Sequence, residues 1–242
     1  MYIRLTSNLI PNKTHLTQLK TWLQQAYIDG YSSFIEHWHI IEKAFEEQNL
    51  LILEKDTIAI GFVVFEINDE IAQIDLAELI PDKRGQGLGK PFILDTLDYL
   101  RDQGALAVKL FCAPVESEGF WKKCGFKRFE VPYDDHIHMF KVLTGTLQST
   151  ANTDSEKTDF IKLWDCESNL SKRTDPKWTW ELEYKDDSKT LIKPIIIPAY
   201  SGWLLELITA DNQIAHKKSK FPIQNWNKPM FLIVKSIPSN YL

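Results

Sequence analysis

Cysteine is scarce. Cys112, Cys124 and Cys166 are odd in number and contain no CxxC pair, which excludes a disulfide frame and a zinc site. They read as reduced thiols of a cytoplasmic protein. No apolar run nears the roughly 20 residues of a membrane span, and the opening "MYIRLTSNLIPNKTH" lacks the apolar core of a secretory signal. Basic charge is also short: 28 Lys and Arg stand against 33 Asp and Glu. The net charge of −5 argues against a protein that grips DNA by its phosphates. What is left, 44% hydrophobic and 25% charged, is an ordinary globular chain with room for one large domain or two small ones.

Composition changes near residue 144. The stretch "TGTLQSTANTDSEKTD" (144–159) has one large apolar residue, Leu147, and is rich in Ser, Thr, Asn and Asp, as a linker would be. It divides residues 1–143 from a segment at 160–242. In the first segment, Leu16, Leu19, Leu23 and Tyr27 recur at helical spacing, with Thr14 as N-cap and Gly30 as stop. Ser33 and Glu36 are spaced as a capping box for a second helix. Three apolar runs follow at 50–54, 58–67 and 71–80. The gaps "KDT" and "NDE" are too short for parallel crossovers, so these runs predict an antiparallel meander. A helix over 88–103, a strand over 105–113, a short helix over 116–126 ending at Gly125, and two further strands complete the order β-α-α-β-β-β-α-β-α-β-β. The fold class is α/β (α+β) around a mixed sheet.

Between the third run and the next helix lies "KRGQGLGKPF" (83–92), with three glycines and three cations in ten residues. Helix N-termini leave N–H groups unpaired and carry the positive end of the macrodipole. Gly85, Gly87 and Gly89 let backbone approach a ligand, while Lys83, Arg84 and Lys90 add charge, so a phosphate or pyrophosphate is one natural occupant. A glycine-rich turn that merely caps a helix is the other reading. A Walker A loop is excluded because the spacing is one residue short and Pro91 stands where Ser or Thr must bind magnesium. A dinucleotide fingerprint is excluded because Lys90 takes the third glycine's place and the preceding strands are antiparallel.

Arg84-Gly85-Gln86-Gly87-Leu88-Gly89, with "LIPD" before it and "GFWKKCGF" (119–126) after it, resembles the motifs of the GNAT family of N-acetyltransferases. The family pattern is Q/R-x-x-G-x-G/A preceded by V-x-P-E and followed by FYEKLGF, and the resemblance covers roughly residues 1–143. It implies a mixed, mostly antiparallel sheet flanked by helices, and transfer of acetyl from acetyl-CoA to a primary amine by direct attack in a ternary complex. Residues Arg84, Gly85, Gln86, Gly87, Leu88, Gly89 and Lys90 are implied to hold the pyrophosphate of acetyl-CoA. Ser117 and Trp121 are implied to lie beside the pantetheine, and backbone N–H groups near Leu79 and Ile80 to meet the thioester oxygen.

An amine of pKa ~10.4 must lose its proton, so a base is expected, and Glu78 and Asp75 on the preceding strand are the candidates. Residues an odd number apart face opposite sides unless a bulge intervenes, so one of the pair is expected to face the cleft, with Glu78 favoured. The chain departs from the family at Trp121, which replaces the tyrosine that is commonly the acid; an indole N–H does not protonate a thiolate. Pro114 replaces a frequent asparagine. Cys124 reads as packing. His136 and His138 share one strand face without further ligands at metal spacing, so no metal is assigned and a hairpin rim is expected there.

Residues 160–242 hold five strand-like stretches and five of the eight tryptophans, and predict a small, mainly β domain with Pro194 and Pro198 on an edge or bent strand. Acidic and basic residues nearly balance, so charge names no partner. A homodimer contact or packing on the first segment is the plain expectation for this domain; recognition of a small-molecule or peptide amine acceptor is the sharper one. The competing function is a non-catalytic acyl-CoA-binding or regulatory module with a β interaction domain.

Overall fold

Asn12 opens the first helix: its side chain accepts from His15 N at 3.0 Å while His15 Nδ1 accepts from Asn12 N at 3.2 Å. This reciprocal cap starts α1 (Lys13–Ile28) two residues earlier than Thr14 would have placed it. Ser33 caps as expected, but its hydroxyl accepts from Ile35 N and begins a single 3-10 turn, Phe34–His37, before α2 (Trp38–Glu46). The computed structural model describes residues 10–31, 33–131, 134–150, 158–167, 170, 174–185, 189–200, 202–210, 214–218, 227–228 and 230–237. A strand expected ahead of α1 lies outside the described residues. Two units are distinguished, Met1–Leu143 and Thr144–Leu242.

In the first unit, β1 (Leu50–Lys55), β2 (Ile58–Asn68) and β3 (Ile71–Leu79) form the expected antiparallel meander. After β3 come α3 (Gly89–Asp102), β4 (Ala107–Phe111), α4 (Glu118–Lys123), β5 (Lys127–Phe129) and β6 (His138–Val142). The six strands lie in the order β1-β2-β3-β4-β6-β5, and among the described residues β3 with β4 is the one parallel pair. This is the mixed, mostly antiparallel sheet flanked by helices that the resemblance implied. Side chains alternate along β2 on either side of a register break at Ile60: Ile60, Val63 and Phe65 join a core with Phe92, Leu97 and Leu100 of α3. Ala59, Phe62 and Val64 join another with Leu19 and Leu23 of α1 and Ile41 of α2. Helices therefore cover both faces, and each fully buried Leu or Phe contributes roughly 1.5–3 kcal/mol. Among the described residues no helix is long and apolar enough to cross a membrane.

The described residues of the second unit form two four-stranded sheets. One runs β12 (Ile214–Lys218), β11 (Leu204–Ile208), β7 (Phe160–Trp164), β8 (Trp178–Glu181); the other runs β13 (Asn227–Lys228), β14 (Phe231–Ser236), β10 (Thr190–Pro198), β9 (Tyr184–Lys185). Pro194 sits where the β10–β14 register breaks between Thr190 and Ile195, which is the bent strand its missing N–H demands. The stretch expected as linker is in part bonded to this strand. Leu147 N donates to Pro194 O at 2.8 Å, and Ile196 N to Thr146 Oγ1 at 3.1 Å. Its low apolar content hid this because the bonds use backbone and a hydroxyl rather than a buried face; residues 151–157 lie outside the described set.

Candidate active site

The parallel pairing of β3 and β4 covers only Ile71–Gln73 with Ala107–Lys109. Past Gln73, β3 is bonded to β2 on one side and has no strand pairing toward β4, which opens a slot at the C-terminal ends of the two strands. Ile80 N donates to Ile60 O at 2.9 Å, so the Ile80 donor expected to meet a thioester oxygen is already engaged. On an antiparallel strand the N–H groups alternate, which turns that of Leu79 away from β2 and toward the slot. One of the two expected donors is therefore available. Gly61, opposite Leu79, is a residue the sequence did not single out: a Cβ there would collide with the Leu79 side chain.

Below the slot, the loop leads into α3. Gly85 and Gly87 have φ of 74° and 77°, a region side chains resist, and a Cβ at either would meet nothing within 4 Å. Leu88 gives α3 no side-chain cap, and the first intrahelical bond runs from Phe92 N to Leu88 O. The Gly89 and Lys90 N–H groups precede that bond at the positive helix end. Gly89 is required for another reason: a Cβ would stand 3.1 Å from the Phe120 ring, so α3 can only approach α4 this closely without one.

The three loop cations are not equivalent. Lys83 Nζ lies 2.8 Å from Asp82, and Gln86 donates to Asp82 O at 2.7 Å, tying the loop to itself. Arg84 turns back to the strand, its Nε donating to Leu79 O at 2.9 Å and its Nη2 to Glu78 Oε1 at 2.7 Å. Lys90 is exposed and, unlike Lys83 and Arg84, enters no salt bridge among the described residues.

Glu78 is the most perturbed acid of the site. Its side chain is 7% exposed, and Oε2 accepts from Phe34 N at 3.3 Å. Burial pushes its pKa up to about 7, against the pull of the Phe34 N–H and the Arg84 charge. Asp75 was expected on the other face, but the β2–β3 register shifts between Val64 and Phe65, where Leu76 and Ile74 are their partners. Asp75 is the extra residue of this bulge, and the bulge puts Asp75 and Glu78 on the same face as Leu76, toward α1 and α2. Asp75 accepts from Gln73 at 2.6 Å and belongs to a half-buried charge group with Glu66 and Lys109; burial raises its pKa and lowers that of Lys109.

Ser117 Oγ is buried beside the Cys112 thiol, to which it hydrogen-bonds. Trp121 does not fit its expected place beside a thiol. It is 7% exposed and packs edge-on between Phe120 and Phe126 at 5.2 and 5.3 Å, inside the α3–α4 core. Cys124 is buried as expected, and burial pushes the Cys112 and Cys124 thiols up, which leaves neither a ready nucleophile. His136 and His138 converge on a carboxylate: Asp134 meets His136 Nδ1 at 2.6 Å and His138 Nε2 at 2.8 Å. Phe34 packs edge-on against Phe62 at 6.4 Å and contributes through its backbone N–H, which no sequence pattern signals.

Residues 16–126 match the model of the Acetyltransferase (GNAT) family, and over those residues the chain carries a domain of that class. The chain is 30% identical over 96 residues to an uncharacterised N-acetyltransferase of Methanocaldococcus jannaschii, covering 36% of this chain and 42% of that protein. The match thus spans less than half the length of that relative. Among solved structures, Tetrahymena GCN5 is similar with a TM-score of 0.45 and 15% identity, over 58% of this chain and 97% of the other. The PaiA N-acetyltransferase of Thermoplasma acidophilum, solved with coenzyme A, has a TM-score of 0.42 and 21% identity, over 54% of this chain and 96% of the other.

Proposed function

We propose that the chain is an acetyl-CoA-dependent N-acetyltransferase acting on a primary amine by direct transfer. The observation that carries this reading is Glu78: a nearly buried carboxyl with a pKa near 7, beside a slot whose lower end is an uncapped helix N-terminus. The open loop at Gly85 and Gly87 fits a pyrophosphate. The loop N–H groups and Lys90 hold the anion.

Acetyl-CoA supplies the thioester, whose C–S bond breaks as the C–N bond to the acceptor forms. Glu78, deprotonated, takes a proton from the acceptor ammonium and leaves a neutral amine with its lone pair. Leu79 N–H faces the oxygen that gains charge during attack. The nitrogen sheds a second proton as the amide forms, and solvent protonates the departing thiolate, since Trp121 lies in the core and its indole is no acid. Raised Cys112 and Cys124 thiols favour this direct route over an acyl-cysteine one.

The acceptor is a small-molecule or peptide amine, and the second unit is a β domain available to contact it or a second copy. Trp121 in the core also motivates the rival, a non-catalytic acyl-CoA-binding module. Thermal unfolding separates them when joined to turnover. Acetyl-CoA should raise the Tm, Gly87→Glu should abolish that rise, and thiol release with an amine panel should follow; binding with no release from any amine would favour the rival, and no Tm rise with intact protein would sink both.

A further inference from the structure

The Arg84 guanidinium joins two parts of the molecule that the chemistry uses separately. Its Cα belongs to the glycine loop, one residue before Gly85, yet its Nη2 reaches Glu78 Oε1 at 2.7 Å and its Nε reaches Leu79 O at 2.9 Å. Glu78 is held from three sides. From the 3-10 turn comes the Phe34 N–H, from β2 the uncharged Phe62 stands opposite in register, and from the loop comes Arg84. Arg84 is thus the titratable group acting on this carboxylate, and its side chain is 43% exposed against 7% for Glu78. The partner that is buried has nowhere to go; the partner on the surface is within reach of anything that fills the loop.

We propose that Arg84 is a positioning residue that couples occupancy of the anion loop to the basicity of Glu78. In the free protein the guanidinium favours the carboxylate form of Glu78 and offsets part of the effect of its burial. A pyrophosphate against Gly85 and Gly87 offers the guanidinium a more highly charged partner with more acceptor oxygens, and charge-assisted Arg–phosphate bonds are among the strong ones. As Arg84 turns to it, Glu78 keeps its burial and the Phe34 N–H but loses its cation, and its affinity for a proton rises. The ionised fraction of Glu78 is then the stronger base when the acyl donor is in place, and the pH at which it ionises moves upward, so proton removal from the acceptor follows donor binding. The proton moves from the acceptor ammonium nitrogen to a Glu78 oxygen, and no other bond changes in that step. This coupling rests on the acetyltransferase reading above.

The test needs no acceptor. Glutamate side-chain carboxyls are labelled with carbon-13 in the full chain, the Glu78 signal is assigned by its loss in Glu78→Gln, and its midpoint is followed by NMR against pH with and without coenzyme A. In the free protein, Arg84→Gln should raise the midpoint by about one pH unit, the scale on which a near opposite charge acts; Arg84→Lys should raise it less. Coenzyme A should raise the wild-type midpoint and move that of Arg84→Gln clearly less. Equal midpoints in wild type and Arg84→Gln would overturn the coupling, as would an equal coenzyme A effect in both. Calorimetry on the same samples keeps the two readings apart. Binding with an unmoved midpoint overturns only the coupling, whereas no binding of coenzyme A overturns the functional reading together with it.

Discussion

Replacing Glu78 by Gln should weaken the enzyme and strengthen the fold, and both effects follow from one buried carboxyl. Removing a proton from an amine of pKa ~10.4 at pH 7 costs about 4–5 kcal/mol. A base with a pKa near 7 is half ionised there, and losing such a group costs on the order of 10²–10⁴-fold in rate. Glu78→Gln should therefore lower kcat/KM at pH 7 by about 10²-fold or more, and remove the rate's rise through neutral pH, with acetyl-CoA bound at least as tightly because Arg84 is released. Stability moves the other way. Folding raises the Glu78 pKa from 4.5 to about 7, so between those values the native state binds more protons than the unfolded one. Stability then falls as pH rises through that window, by up to about 3 kcal/mol at 1.4 kcal/mol per unit. Gln carries no charge to bury. At pH 8 the variant should melt several degrees higher than wild type, and at pH 4 the two should melt alike. Paired pH–rate profiles and calorimetric melts provide the assay. Unchanged kcat/KM across pH 6–9 would refute the base, and a lower Tm at pH 8 would refute the burial argument.

Other substitutions test other parts. Trp121→Phe should lower the Tm by several degrees through lost core volume yet leave the acetyl-CoA Kd within about threefold, since the indole packs between Phe120 and Phe126; a tenfold weaker Kd would put the ring in the slot instead. Asp159, 7% exposed in the second unit, accepts from Tyr184 at 2.6 Å, Lys189 at 3.1 Å and Ala210 N at 3.0 Å. Burial alone would raise its pKa, but these bonds and the Lys189 charge hold it below the usual value, so its contribution is present at neutral pH and lost as pH falls into the acid range. Asp159→Ala should cost about 3 kcal/mol in denaturant melts at pH 7, and less in acid; a variant as stable as wild type would contradict this hub. Gly89→Ala should weaken acetyl-CoA binding more than its modest helix gain suggests, because its Cβ presses on Phe120 and moves the helix start. Calorimetry would read either result.

The meander was legible because its gaps were too short for any other connection, and α3 because three glycines and a helical period meet at Gly89. What could not be read were contacts made across the sequence. The bulge at Asp75 adds no turn residue or glycine to the strand, so nothing in the alternation of "IAQIDLAEL" separated it from a regular strand. The position of Arg84 matched a phosphate-loop pattern, but its guanidinium turns back to Glu78, a choice made by the buried carboxylate rather than by the loop. The Ile80 donor was lost to Ile60 O for a similar reason: strand register decides which N–H groups are spent. Trp121 was read by its place in a helix motif, while its size drew it into the core beside Phe126.

The central claim is that the glycine loop and the slot above it take acetyl-CoA for transfer to an amine. Titrating acetyl-CoA into the full chain by calorimetry, wild type beside Gly87→Glu, tests it most directly. The expected result is saturable binding by wild type near one equivalent and at least tenfold weaker binding by the variant, whose carboxylate would enter a site built for an anion. Heats that do not saturate with wild type, or equal affinity in the two proteins, would contradict it.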